Sequence, residues 1–189
     1  MSKITVCLDP GHGGKDPGAV KGKRYEKDDA LRLALRVGKV LKANGLKVIY
    51  TRTTDRYDSP SKKAQIASKN KADYFISIHR NSAGNGTANG AEVLVYATGG
   101  TRVEIAKSIQ KLFAKHGFAD RGVKVSPKLT VLKKTAMPAV LCEVGFISND
   151  KDNKLFDDKF IKYGDCIAKG FMDAIGLKFR SLPTILKSK

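Results

Sequence analysis

The chain reads as a three-layer α/β domain with a largely parallel central sheet, because short apolar strand patterns alternate along it with helical ones. Two further observations shape that expectation. The first strand pattern, Ile4-Thr5-Val6-Cys7-Leu8, runs directly into Asp9-Pro10-Gly11-His12-Gly13-Gly14, where proline and glycine set a histidine on a sharply bent backbone at the end of a central strand. In an open α/β sheet, ligands bind in the crevice beyond the carboxyl ends of the strands. The length, 189 residues with 41% hydrophobic content, suits one domain with a substantial core.

Taken in order, the elements follow from spacing and punctuation. Leu31, Ala34, Leu35, Gly38 and Leu41 recur at helical intervals and Gly45 stops the pattern, predicting a helix from about Glu26 to Asn44. Leu46 to Thr51 reads as a strand, and Ser59-Pro60 opens a second helix that runs to about Lys71. Tyr74 to Ile78 is a buried strand ending on His79, followed by a Gly/Asn/Ala loop from Ala83 to Gly90. Ala91 to Ala97 alternates as a strand, Thr101 to His116 is an amphipathic helix, and Leu129 to Leu132 is a short strand. Pro138 to Glu143 is another apolar strand, Gly145 to Asn149 a loop, and helical stretches from about Asp150 to Ile175 close the domain.

Charge is the unusual bulk property. Lys and Arg number 36 against 18 Asp and Glu, a formal net charge of +18, which predicts attraction to polyanions: nucleic acid, anionic lipid or the anionic polymers of a bacterial wall. Met1-Ser2-Lys3 passes straight into the first strand, so no secretory signal is expected, and no apolar run approaches a membrane span. The chain is therefore expected to be made in the cytoplasm. Cys7, Cys142 and Cys166 fall in apolar strand or helix patterns without metal-type spacing and read as buried free thiols.

Topology gathers the chemistry. If the strands ending at Leu8, His79 and Glu143 run parallel, their carboxyl ends share one sheet edge, and the first helix begins at that same edge. His12, Glu26, His79 and Glu143 then converge although they lie far apart in sequence. Glu26 shares a helical stripe with Ala30, Leu33, Ala34 and Val37, so its carboxylate faces inward, where a buried charge needs a cation; taken alone, it reads equally as a solvated carboxylate favouring the helix dipole, and His79 as a core histidine bonded to backbone. Glu143, at the end of Ala139-Val140-Leu141, has the same need for a partner. Two imidazoles and one carboxylate form the ligand set of a hydrolytic zinc site with an open fourth position, and a second carboxylate outside the metal supplies the base. His116, in Lys115-His116-Gly117 at a helix end, reads as a cap neighbour instead.

These residues resemble the zinc-dependent N-acetylmuramoyl-L-alanine amidases of the type-3 class. The resemblance runs from Ile4 to about Ile175 through five motifs in order: Asp9-Pro10-Gly11-His12-Gly13, Glu26, Thr51-Arg52 with Asp55, Ser77-Ile78-His79-Arg80-Asn81, and Pro138 through Asn149. It implies a mixed six-stranded sheet flanked by helices, one zinc per chain held by His12, Glu26 and His79, and Glu143 as the catalytic carboxylate. The implied reaction is hydrolysis, by zinc-activated water, of the amide joining the lactyl group of N-acetylmuramic acid to L-alanine of the stem peptide. Residues 1–176 are then expected to form the catalytic domain and 177–189 a tail or linker stub.

Arg80 stands where the family carries a small residue, and Lys63 where it often has arginine. Substrate contacts near the cleft rim therefore carry over from the family less firmly than the metal site, whereas the metal and catalytic positions show no departure. The expected partners are peptidoglycan and, through the basic surface, anionic wall polymers. Acting on the wall without a signal implies release through lysis, as for a phage endolysin or an enzyme of a sporulating mother cell. The rival reading is a basic module that binds polyanions or nucleic acid without catalysis. It lacks a helix-turn-helix, an RNA-binding aromatic signature and zinc-finger spacing, and only 7% of residues are aromatic.

Overall fold

Period-two alternation along the strands sorts the core into two faces. The computed structural model describes residues 3–182. Its main strands are β1 (Thr5–Pro10), β4 (Lys47–Tyr50), β5 (Tyr74–Asn81), β6 (Ala91–Val95), β7 (Asp120–Val125) and β8 (Ala139–Phe146). A small hairpin, β2 (Val20–Lys21) and β3 (Arg24–Tyr25), stands apart from them. The helices are α1 (Glu26–Ala43), α2 (Pro60–Lys69), α3 (Thr101–Lys115), α4 (Thr130–Lys133), α5 (Asp150–Asp158) and α6 (Phe160–Ala174). The sheet runs β4-β1-β5-β8-β6-β7, with every neighbouring pair parallel except β6 against β8.

On one face, Val6, Leu8, Ile76, Ile78, Val140 and Cys142 pack against Leu33 and Val37 of α1, Ile109 and Phe113 of α3 and Ile167 and Phe171 of α6. On the other, Cys7, Phe75, Ala139 and Leu141 meet a thinner layer made by Ala67 of α2 and Val131 and Leu132 of α4. This is the expected three-layer, mostly parallel mixed sheet of six strands. No helix among the described residues is long and apolar enough to cross a membrane.

The sequence pattern does not predict the hairpin β2/β3, and β8 runs on through Gly145-Phe146, where the pattern predicts a loop; two further departures bear on the layers themselves. Leu129 to Leu132, expected as a strand, is the entry to α4; Val131 and Leu132 are buried on one side of a single helical turn. A four-residue apolar run satisfies either period, and here packing on α2 decided it. The sixth strand is Asp120–Val125, whose edge position leaves it mostly exposed and strips it of an apolar run.

The three cysteines are buried and unpaired. Burial pushes the thiols of Cys7 and Cys166 up to about 12, with Asp9 adding to the effect at Cys7, so neither presents a thiolate near neutrality. Beyond α6, the Asn44 side chain brackets Arg180, donating to its carbonyl and accepting from its N–H, while Leu177, Phe179 and Leu182 rest on the core. The rest of the expected tail, 183–189, lies outside the described residues.

Candidate metal centre

The site is built on the turn that follows β1. Asp9, 1% exposed, anchors it by accepting from Thr51 Oγ1 (2.6 Å) and Ser77 Oγ (2.7 Å) and pairing with Lys63 Nζ at 3.0 Å. Lys63 also donates to the Pro10 carbonyl (2.8 Å), and Arg52 donates to the carbonyls of Gly11 (2.7 Å) and Lys27 (2.8 Å). Two buried cations thus hold the carbonyls of the turn, and the residue they present, His12, adopts φ 58°. Left-handed backbone at a non-glycine residue costs energy and persists where the surroundings enforce it. The Thr51-Arg52 and Asp55 motif therefore supports the turn; Asp55 accepts from the Gly14 N–H and pairs with Lys27.

Three donors meet above that turn. Glu26, in the first turn of α1 and 4% exposed, places Oε1 3.0 Å from His12 Nε2 and 2.8 Å from His79 Nδ1, and the same oxygen accepts from the Arg80 N–H. Oε2 accepts from the Ala19 N–H at 2.9 Å. The donor atoms of His12, Glu26 and His79 lie within 4.8 Å of one another. Glycine permits this approach: a Cβ on Gly18 would sit 2.6 Å from the His12 ring and 2.7 Å from Glu26 Oε2, and one on Gly11 would strike the His79 ring. Burial alone would raise the Glu26 carboxyl, but the two imidazoles hold it well below the ordinary carboxylate range. For His12, burial opposes protonation, while its hydrogen bonds to the Glu26 and Asp16 carboxylates and their charges carry the net shift upward.

A carboxylate oxygen shared between two imidazole nitrogens is a donor set that suits zinc, and the surroundings fit a metal ligand rather than a core ion pair. His12 Nδ1 lies 2.9 Å from Asp16 Oδ2, which fixes the proton there and turns the Nε2 lone pair toward the cluster. Such outer carboxylates typically tune metal affinity by about 10–100-fold. Asp16→Asn is accordingly expected to weaken zinc binding by about that factor while leaving the thermal midpoint of the metal-free protein within a few degrees. Competition titration with a zinc chelator measures the first quantity, and unchanged affinity would remove Asp16 from this role.

Glu143 stands beside the cluster. His79 and Glu143 are register partners on the parallel neighbours β5 and β8, so their side chains leave the same face of the sheet. The register slips immediately afterwards, with Asn81 opposite Phe146, a bulge of the kind that re-aims side chains near sites. Oε2 of Glu143 is sealed from solvent and has no hydrogen-bond partner among the described residues. Burial pushes its carboxyl up to about 7, with His79 pulling down and Glu26 and Glu92 pushing up. Glu92, opposite Glu143 on β6, is itself held by Asn81, Arg121 and Lys124.

A cleft of about 270 Å³ opens onto His12 and His79. Asp58, Pro60 and Lys63 form one wall, and Lys128, Leu129 and Thr130, leading into α4, form another. All four residues singled out from the sequence thus stand at one sheet edge. His116 is elsewhere; it caps α3 and its carbonyl accepts from Tyr163 Oη. Sequence reasoning missed Asp16, the α4 wall and the place of Arg80, which it grouped with the cleft rim. That side chain turns to the opposite face of the sheet, where it bonds Asp29 (2.7 Å) and Asn153 (2.8 Å) and stacks 4.1 Å from the Phe156 ring. A buried role needs a matched acid, and Asp29, one turn after Glu26, was the available signal.

A mixed α/β sheet that collects two imidazoles and two carboxylates beyond its carboxyl edge has the form of a hydrolase whose donors could hold a metal ion. The chain belongs to the N-acetylmuramoyl-L-alanine amidase family, whose signature spans residues 6–175. It is 36% identical over 181 residues to the sporulation-specific N-acetylmuramoyl-L-alanine amidase of Bacillus subtilis, covering 93% of this chain and 68% of that protein. It is 36% identical over 191 residues to the endolysin of Bacillus phage SPP1, covering 96% of this chain and 69% of the endolysin. The catalytic domain of CwlV, an N-acetylmuramoyl-L-alanine amidase from Bacillus (Paenibacillus) polymyxa var. colistinus, superposes with a TM-score of 0.85 at 36% identity, covering 93% of this chain and 99% of that domain.

Proposed function

We propose that the chain is a zinc-dependent peptidoglycan amidase that hydrolyses the bond between the lactyl group of N-acetylmuramic acid and L-alanine of the stem peptide. One observation carries the proposal: the His12, Glu26 and His79 donors lie within 4.8 Å of one another, beside a glutamate whose buried oxygen lacks a partner. In this reading His12, Glu26 and His79 hold one zinc ion per chain. Bound there, zinc supplies Lewis-acid polarisation of the scissile carbonyl and a water made acidic enough to act near neutral pH.

The chain's own residues do the rest. Glu143, half-buried with Oε2 sealed from solvent, accepts a proton from the attacking water at a carboxylate oxygen and passes it to the departing alanine nitrogen, so that one C–O bond forms as the C–N bond breaks. Asp16 keeps His12 oriented, and the walls at Asp58, Pro60 and Lys128 to Thr130 align the stem. The place of action is the bacterial wall, where the basic excess also draws the enzyme to anionic wall polymers. A binding module without catalysis would have no use for the triad or for an unpartnered buried carboxylate beside it.

Metal removal tests this reading. Dialysis against a chelator is expected to abolish turnover of purified peptidoglycan, and one equivalent of zinc to restore it. The fold should survive, because a core of this size does not depend on metal in the way a zinc finger does. Full activity in protein shown to contain no metal would contradict the proposal.

A further inference from the structure

The charge excess is not spread evenly. Neither the segment from Ser59 to Ala72 nor that from Arg121 to Cys142 contains a single Asp or Glu, yet together they carry eight lysines and one arginine. Their helices, α2 and α4, form the thin layer on one face of the sheet, and the second segment also supplies most of the edge strand β7. Lys63 is buried on Asp9, and Arg121 and Lys124 pair with Glu92. Lys62, Lys69, Lys71, Lys128, Lys133 and Lys134 are exposed.

The exposed cations join up. Lys128 lines the cleft beside His12 and His79, and one helical turn on, Lys134 Nζ reaches across to Ser61 Oγ at 2.9 Å, next to Lys62. Beyond them a second cavity of about 180 Å³ is lined by Lys133, Arg102, Thr135 and Tyr96 over Leu132 and Met137, with no carboxylate in its wall. Arg102 enters from the first turn of α3, and the nearby acid of that helix, Glu104, does not line the cavity.

We infer that the α2/α4 face is a docking surface for an anionic, phosphodiester-bearing polymer of the bacterial wall, with the Arg102–Lys133 cavity as a phosphate seat. The choice of a wall polymer rests on the amidase reading, since the face is continuous through Lys128 with the cleft. Lysine ammoniums are point charges that suit phosphates of any spacing, and neither α2 nor α4 carries an aromatic residue on which unpaired bases would stack. The face would hold the enzyme on a wall strand while the cleft works on the adjoining peptidoglycan.

The test compares three metal-free proteins for sedimentation with Gram-positive walls across a salt series. They are the wild type, a face variant (Lys62→Gln, Lys133→Gln, Lys134→Gln and Arg102→Gln) and a control with the same charge loss on the opposite layer (Lys39→Gln, Lys107→Gln, Lys111→Gln and Lys162→Gln). The face variant is expected to bind about tenfold or more weakly with a shallower salt dependence, and the control within about twofold of wild type. Walls stripped of phosphodiester polymers by acid should hold all three weakly and alike. Zinc-loaded, all three should cleave a soluble muramoyl-peptide fragment at the same rate. Equal losses in both variants, equal binding to stripped and intact walls, or tighter binding to duplex DNA than to intact walls at the same salt would each overturn the inference. Absence of fragment cleavage by wild type would overturn the amidase reading and with it the choice of partner, an outcome the binding arm keeps separate from failure of the face itself.

Discussion

Replacing Glu143 by glutamine is expected to lower turnover by about 10²–10⁴-fold, the range set by a positioned general base, while zinc content and fold stay as in wild type. The same substitution should make the metal-free protein more stable in mild alkali. In the folded chain the Glu143 carboxyl is raised from 4.5 to about 7 by burial, so the proton-bound form is the one the fold favours. That contribution is fully present below the ordinary carboxylate value and is lost as pH rises through about 7. At pH 8 wild type therefore carries a buried carboxylate whose Oε2 has no partner, and glutamine removes the charge at nearly constant shape. Urea unfolding at pH 5 and pH 8 should show the variant gaining on wild type by on the order of 2 kcal/mol between the two. A variant that kept near wild-type turnover would remove Glu143 from the mechanism, and an equal pH response in both proteins would contradict the account of its burial.

Loss of either imidazole should be as severe by a different route. His12→Ala and His79→Ala are each expected to bring bound zinc well below one ion per chain, with far-ultraviolet circular dichroism unchanged. Lewis-acid polarisation is worth several kcal/mol, which at about 1.4 kcal/mol per tenfold corresponds to a fall in turnover on the order of 10³-fold or more. Metal analysis separates these variants from Glu143→Gln, which should retain its ion. Wild-type zinc content in both histidine variants would sink the assignment of the triad.

The parts of the site legible in sequence were those announced by a mismatch between a residue and its neighbours. Glu26 shares a stripe with Ala30, Leu33 and Val37, and Glu143 follows the apolar run Ala139-Val140-Leu141; a charge in such company implies a partner, whereas His79 taken alone reads first as a core histidine bonded to backbone. Parallel topology then predicted their meeting, since β1, β5 and β8 are adjacent and end at one edge. The supports were not legible because they are long-range and chemically ordinary. Lys63 reaches Asp9 across more than fifty residues of chain, in a stretch whose other lysines are solvated. Asp16 looks like turn chemistry ahead of Pro17-Gly18 until its distance to His12 is known. The edge strand Asp120–Val125 was missed for a third reason: mostly exposed and interrupted by Gly122, it carries no period strong enough to compete with Leu129 to Leu132, whose apolar side chains serve a helical turn.

The bond itself is the most direct test. Zinc-bound enzyme digesting purified peptidoglycan to completion, followed by end-group analysis of both peptide and glycan, reports in one experiment where the cut falls. The account predicts new free amino groups on L-alanine and glycan strands left uncut, because one base beside a metal site suits acyl transfer and lacks the paired flanking carboxylates of glycoside hydrolysis. New reducing sugar without new amino-terminal alanine, or new termini on glycine, D-alanine or a diamino acid, would contradict it.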